Sequence, residues 1–219
     1  MTQHGKGTEV ITIQAGDVML EGNLSVPDGA QGIVVFVHGS GSSRFSPRNQ
    51  FVADQLHRGG LATVLFDLLT AEEDAIDRRT RELRFDIDLL ADRVVGATDW
   101  LLQQPFAAER SIGYFGSSTG AAAALIASTR RPKVAEAIVS RGGRPDLAGP
   151  ALPEVQAPTL LIVGGHDEPV IQMNRQAMQQ IPSEASLEIV PGASHLFEEP
   201  GTLEKAAHLA RDWFRQYLN

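Results

Sequence analysis

From residue 32 onward, short β-branched runs alternate with longer helical patterns, and few chain architectures tolerate that alternation. The run Ile33-Val34-Val35-Phe36-Val37 is apolar at every position, and so is most of Leu61-Ala62-Thr63-Val64-Leu65-Phe66. A strand with one wet face would alternate apolar and polar residues, so continuous runs point to strands buried on both faces. Further strands are expected at residues 111–115, 137–140, 159–163 and 186–190. Helical patterns lie between them at residues 47–58, 119–127 and 170–180, with a closing helix at 203–218. The clearest helix has Ile87, Leu90, Ala91, Val94, Val95, Thr98, Leu101 and Leu102 recurring at three- and four-residue steps. Strand–helix alternation of this kind predicts an α/β fold: a mostly parallel, twisted sheet with helices on both faces and right-handed crossovers. Before it, residues 10–13 and 18–26 flank the turn Ala15-Gly16-Asp17, an N-terminal antiparallel hairpin. No repeat or linker divides the 219 residues, so one domain over 1–219 is expected, without a cap domain.

Composition narrows the chemistry. With no cysteine there is no disulfide, thiolate metal site or cysteine nucleophile. The formal net charge of −8 disfavours nucleic acid and anionic membranes as partners. Arg78, Arg79, Arg81 and Arg84 form an arginine cluster, but seven acids are interleaved with these four bases over residues 72–88. That segment reads as solvated. The N-terminus MTQHGKGTEV has no apolar core of a secretory signal, and the apolar stretch 121–127 is far short of the roughly 20 residues needed to span a bilayer. The default expectation is a soluble cytoplasmic protein.

In an open parallel sheet, ligands bind beyond the carboxyl ends of the strands. After the strand ending at Tyr114-Phe115 comes Gly116-Ser117-Ser118-Thr119-Gly120, a G-x-S-x-G motif with a strand before it and a helix after it. Such a turn projects its central serine above the sheet, and glycines on either side let strand and helix approach. A serine hydroxyl needs a general base to attack near neutral pH. Of six histidines, His4 lies in the N-terminal tail, and His57 and His208 lie in helical patterns. His195 follows the strand at 186–190, in a loop that reaches over the strand tips. An acid must fix the tautomer of that base. Asp167, just past the strand at 159–163, completes the order Ser118, Asp167, His195, with Glu168 and Asp146 as competitors. The oxyanion of acyl transfer needs two preorganised donors: the N–H of Thr119, and the N–H of Ser40 in His38-Gly39-Ser40-Gly41-Ser42-Ser43. His38 reads as a brace for that loop. A phosphate-binding turn at this loop lacks the required spacing and lysine, and no metal-ligand spacing joins His38, His166, Asp167 and His195. Neither a metal nor a cofactor is expected.

These motifs, with GGHDEPV at 164–170 and GASHLF at 192–197, resemble the α/β-hydrolase superfamily over most of the chain. The small size and HGSGSSRFSPRNQ look most like its dienelactone-hydrolase-like branch. Typical members of that branch use a cysteine where this chain has Ser118. The departure favours a general serine esterase acting on small soluble carboxylic esters. Thioester or amide cleavage, perhydrolysis or acyl transfer on the same triad are alternatives, and a non-catalytic binding module is a further one. Phe45, Leu68, Leu69, Arg141 and Arg144 all follow strands and are candidate substrate contacts, the arginines for a substrate carboxylate. A homodimer is left open.

Overall fold

The computed structural model describes residues 7–218; His4 lies outside them. β1 (Glu9–Ala15) and β2 (Val18–Ser25) form the expected antiparallel hairpin, turning at Gly16 with φ 63°. The remaining strands are β3 (Gly32–Val37), β4 (Leu61–Phe66), β5 (Ser111–Ser117), β6 (Ala135–Arg141), β7 (Thr159–Gly164) and β8 (Ala185–Val190). They assemble into one eight-stranded sheet in the order β1-β2-β4-β3-β5-β6-β7-β8, parallel from β4 to β8. β2 joins β4 antiparallel.

The continuous apolar runs have the burial they imply. Every residue of β3, β4 and β7 is buried. In β3, Ile33, Val35 and Val37 enter one core with residues of α3 (Ile87–Leu102) and α4 (Thr119–Arg130). Val34 and Phe36 enter the opposite core with α1 (Pro47–Arg58) and α6 (Thr202–Tyr217). α5 (Glu168–Met178) follows β7. Helix boundaries follow local chemistry: Ser46 caps α1 with Pro47 in its first turn, and Asp86 caps α3 through the Leu89 N–H at 3.0 Å. No separate cap domain is present among the described residues; Pro145–Glu154 is only a kinked run of 3₁₀ turns. No described helix is long and apolar enough to cross a membrane.

The charged segment after β4 is mostly exposed, in keeping with its reading as solvated, but it also forms a helix with one buried acid. Residues Ala71–Thr80 form α2. Its start is a reciprocal cap, with the Thr70 hydroxyl accepting the Glu73 N–H and the Glu73 carboxylate accepting the Thr70 N–H. Asp77 is only 2% exposed at its side chain, where Arg84 donates to it from Nε at 2.5 Å and from its backbone N–H at 3.1 Å. Burial alone would raise the Asp77 pKa, yet these bonds together hold it below the usual carboxylate value. High charge density masked a helix whose interior acid is paired.

β3 is the first strand of the parallel part in chain order and has β4 on one side and β5 on the other. The strand order therefore reverses between β3 and β5, and the crevice for a ligand opens above their carboxyl ends.

Candidate active site

Ser118 occupies the single-residue turn between β5 and α4 at φ 51° and ψ −125°. A residue with a Cβ is strained there, by about 1–3 kcal/mol. The flanking glycines explain how the turn closes. A Cβ on Gly120 would lie 2.2 Å from the Val37 carbonyl oxygen and 2.5 Å from that of His38. A Cβ on Gly116 would lie 2.5 Å from the Ala121 Cα. Helix and strand thus touch backbone to backbone beneath Ser118. Gly120→Ala is expected to destabilise the fold by about 3 kcal/mol, since neither carbonyl belongs to a flexible side chain. A denaturant midpoint within error of wild type would show that the turn is looser than this.

Asp167 closes the loop after β7, and His195 lies within the loop after β8. His195 Nδ1 and Asp167 Oδ2 are 2.6 Å apart. Asp146, the competitor acid, is instead paired with Arg144 through two bonds at 2.9 and 2.8 Å. Glu168 accepts from Gln172 on the outside of α5. Segment 142–144, after β6, bridges the remaining gap. The Arg144 N–H donates to the Ser118 carbonyl at 3.0 Å. A Cβ on Gly142 would lie 3.8 Å from His195 Cε1. The structure therefore sets Asp167 and His195 together at the tips of the neighbouring strands β7 and β8 and Ser118 at the tip of β5, with β6 between them; among the described residues no hydrogen bond engages the His195 Nε2.

The loop after β3 lies against Ser118: a Cβ on Gly39 would be 2.9 Å from Ser118 Cβ. The next residue, Ser40, directs its N–H to Thr119 Oγ1 at 2.9 Å. Ser40 and Thr119 are thus in contact, but through the threonine side chain. As the first residue of α4, Thr119 has a backbone N–H with no acceptor within the helix. His38 braces this loop. Its Nε2 accepts the Leu68 N–H at 3.1 Å, so the proton sits on Nδ1, which donates to the Gly39 carbonyl at 3.0 Å.

Burial drives the His38 pKa below its ordinary 6.5, because a buried imidazolium is desolvated. Between the lowered folded value and 6.5 the unfolded chain binds more protons than the folded one. Stability should therefore fall as pH drops through 6.5 and level off below the folded pKa. His57 is shifted the same way by burial and adds to the slope. Wild type is expected to lose denaturation midpoint between pH 7.5 and 5 more steeply than His38→Gln. Equal slopes for the two proteins would remove His38 from the account.

A cavity of about 1190 Å³ opens beside the 38–45 loop, walled by that loop, by residues 67–74 and by α2. Phe45, Leu68 and Leu69 line it, as does Arg84. The other two candidate contacts are turned elsewhere. Arg144 holds Asp146. Arg141 is 8% exposed, its guanidinium carbon 6.0 and 5.8 Å from the Phe115 and Phe197 ring centroids and its Nη2 donating to Asn49 at 3.3 Å. Burial, with Arg48 nearby, brings its pKa down to about 10, so it remains a cation at neutral pH. It ties α1 to the loop that carries His195, a contact invisible in a reading that places residues only by strand order. Glu199 is a second residue that reading missed. It accepts the Ser194 N–H at 2.9 Å, and that bond, followed by one from its own N–H, lowers its pKa.

The model of the dienelactone hydrolase family matches residues 20–218. The crystal structure of a dienelactone hydrolase from Anabaena variabilis is 58% identical, covering 99% of this chain and 100% of that one with a TM-score of 0.97. Est1E from Butyrivibrio proteoclasticus is 14% identical with a TM-score of 0.79 over 94% of this chain and 98% of its own, a likeness of fold. Two Mycobacterium tuberculosis proteins with the provisional name phosphoribosyl transferase are 55% identical over 210 residues. The match takes in 96% of this chain but 46% of theirs, so the chain spans under half the length of these relatives.

Proposed function

The chain belongs to the dienelactone hydrolase family, and from that premise we propose that it is a serine hydrolase of carboxylic esters working through an acyl-enzyme on Ser118. One observation carries the proposal: a serine held at φ 51° on the strand–helix turn after β5, with a histidine–aspartate pair 2.6 Å apart at the tips of β7 and β8 on the same edge of the sheet. Structural loops have little reason to keep a strained serine beside such a pair.

In this reading His195 Nε2 takes the Ser118 proton as Oγ attacks the ester carbonyl. The Ser118–His195 bond is not among those formed in the structure; in hydrolases such bonds often tighten only when substrate is bound. The tetrahedral oxyanion is held at the N-terminus of α4. Its collapse expels the alcohol, which receives the proton from His195. A water, deprotonated by His195, then attacks the acyl-Ser118 carbon and releases the acid. Asp167 keeps the imidazole oriented and stabilises its cation.

The described residues form no cap over the strand tips, which suits small, soluble esters. The cavity beside Phe45 and Leu69 is larger than the roughly 300–1,000 Å³ usual for a small-molecule pocket, so it has room for the acyl or alcohol arm of such an ester. Phosphoribosyl transfer is not adopted, because that name describes proteins of which more than half has no counterpart in this chain. A panel of p-nitrophenyl esters of increasing chain length, with and without a fluorophosphonate, tests the proposal. Turnover of the esters and covalent labelling at Ser118 are expected together. Ester turnover untouched by the probe would exclude the acyl-enzyme, and a chain neither labelled nor active on esters, thioesters or amides would favour a binding module.

A further inference from the structure

The proposed acyl-enzyme leaves open which groups hold the oxyanion, and the contact between Ser40 and Thr119 bears on it directly. A hydroxyl has one proton to donate and two lone pairs to accept with. Thr119 Oγ1 already accepts the Ser40 N–H at 2.9 Å. Its own proton is therefore uncommitted by that bond, and among the described residues no acceptor takes it. The hydroxyl is 79 positions from Ser40 in sequence but adjacent to Ser118, on a residue only 4% exposed. A Cβ built on Gly39, next to Ser40, would lie 2.9 Å from the Ser118 Cβ, so this loop runs close against the nucleophile turn. The Thr119 oxygen thus sits 2.9 Å from the Ser40 nitrogen, the place an oxyanion bound directly to that N–H would take.

We propose that the Thr119 hydroxyl is itself an oxyanion donor, with the Ser40 N–H polarising it from behind. This rests on the serine-hydrolase reading above. Thr119 then offers two donors from one residue, its backbone N–H and its side-chain O–H, and Ser40 acts through the second. A hydroxyl that accepts a hydrogen bond becomes a better donor, because aligned bonds reinforce one another. No proton is transferred: the hydroxyl keeps its hydrogen throughout and only stabilises the negative charge. Being fixed by Ser40 before substrate arrives, it needs no reorganisation as charge develops.

The test compares Thr119→Val, which keeps the shape and loses the hydroxyl, with Thr119→Ser, which keeps it. Acylation by a p-nitrophenyl ester and inhibition by a trifluoromethyl ketone, whose bound form carries a tetrahedral oxyanion, are measured on both. Thr119→Val is expected to lose about 10²- to 10³-fold in kcat, the scale of one oxyanion donor, with KM within a few-fold. Its affinity for the ketone should fall in parallel, while Thr119→Ser stays within about tenfold of wild type. A purely structural role would move the melting temperature and leave the kcat-to-KM split and the ketone affinity alone. Should valine destabilise the chain, Thr119→Ala reads the same loss without placing a methyl against Ser40. An unchanged kcat in the valine and alanine variants overturns the proposal. A raised kcat also overturns it, by showing that the hydroxyl obstructs a direct Ser40 donor. Fluorophosphonate labelling of wild type separates the two layers. Labelled wild type with undiminished variants overturns only the donor role of the Thr119 hydroxyl; unlabelled, inactive wild type overturns the acyl-enzyme and this proposal together.

Discussion

Ser118→Ala is expected to lower kcat for an activated ester by about 10⁵- to 10⁶-fold, with a melting temperature close to that of wild type. The size of the loss follows from what the substitution leaves behind. Without Oγ there is no attacking atom, and the His195–Asp167 pair has no proton to move. The N-terminus of α4 and the cavity remain, so the residual rate is that of a bound ester polarised by backbone donors and attacked by water. Stability should barely change, because alanine inherits the same φ of 51° and nearly the same volume. Ser118→Gly provides the contrast. It should be equally inactive and no less stable, since glycine adopts this conformation without the Cβ penalty. Burst kinetics and intact-mass detection of the acyl-enzyme check both variants. A burst of one equivalent in either would move the nucleophile away from Ser118.

Much of this site was readable in the chain because Ser40, Ser118 and Asp167 each follow a buried strand, whereas His195 follows the mostly exposed β8 and was placed by its loop alone. β3, β5 and β7 are buried on both faces, so Val37, Phe115 and Val163 marked strand ends, and Ser40, Ser118 and Asp167 fell just beyond them. The reading failed where position along a strand does not decide direction. Arg141 ends β6 and Arg144 lies three residues beyond it, but Arg141 turns into the α1–α6 layer and Arg144 pairs with Asp146. Aromatic faces and a nearby carboxylate set those directions, and neither leaves a periodic signal. α2 was hidden for a different reason. Its outer face carries most of the charge, and its paired interior acid, Asp77, reads in sequence like any exposed one. Thr70 and Glu73, three residues apart, were the available cue. The Ser40–Thr119 bond joins a backbone amide to a side chain 79 positions away, and nothing in one sequence encodes such a pair.

Asp167→Asn should cost about 10⁴-fold in kcat while leaving the fold intact. The carboxylate only accepts, so its bond to His195 Nδ1 obliges that nitrogen to carry the proton and leaves the Nε2 lone pair for Ser118. Asparagine can turn its amide N–H₂ toward Nδ1 instead. The ring proton then moves to Nε2, and the imidazole faces the serine as a donor, unable to take its proton. Asp167 is 14% exposed at its side chain, so its carboxylate is largely withdrawn from water and directed to Nδ1. No neighbour stands ready to replace it. The Asp146 carboxylate is engaged by Arg144, and Glu168 begins α5 with its carboxylate on Gln172. Asp146→Asn and Glu168→Gln should accordingly stay within about tenfold of wild type, the scatter expected of residues outside the triad. Asp167→Asn retaining a tenth or more of wild-type kcat, or Asp146→Asn falling as far as Asp167→Asn, would assign the orienting acid elsewhere.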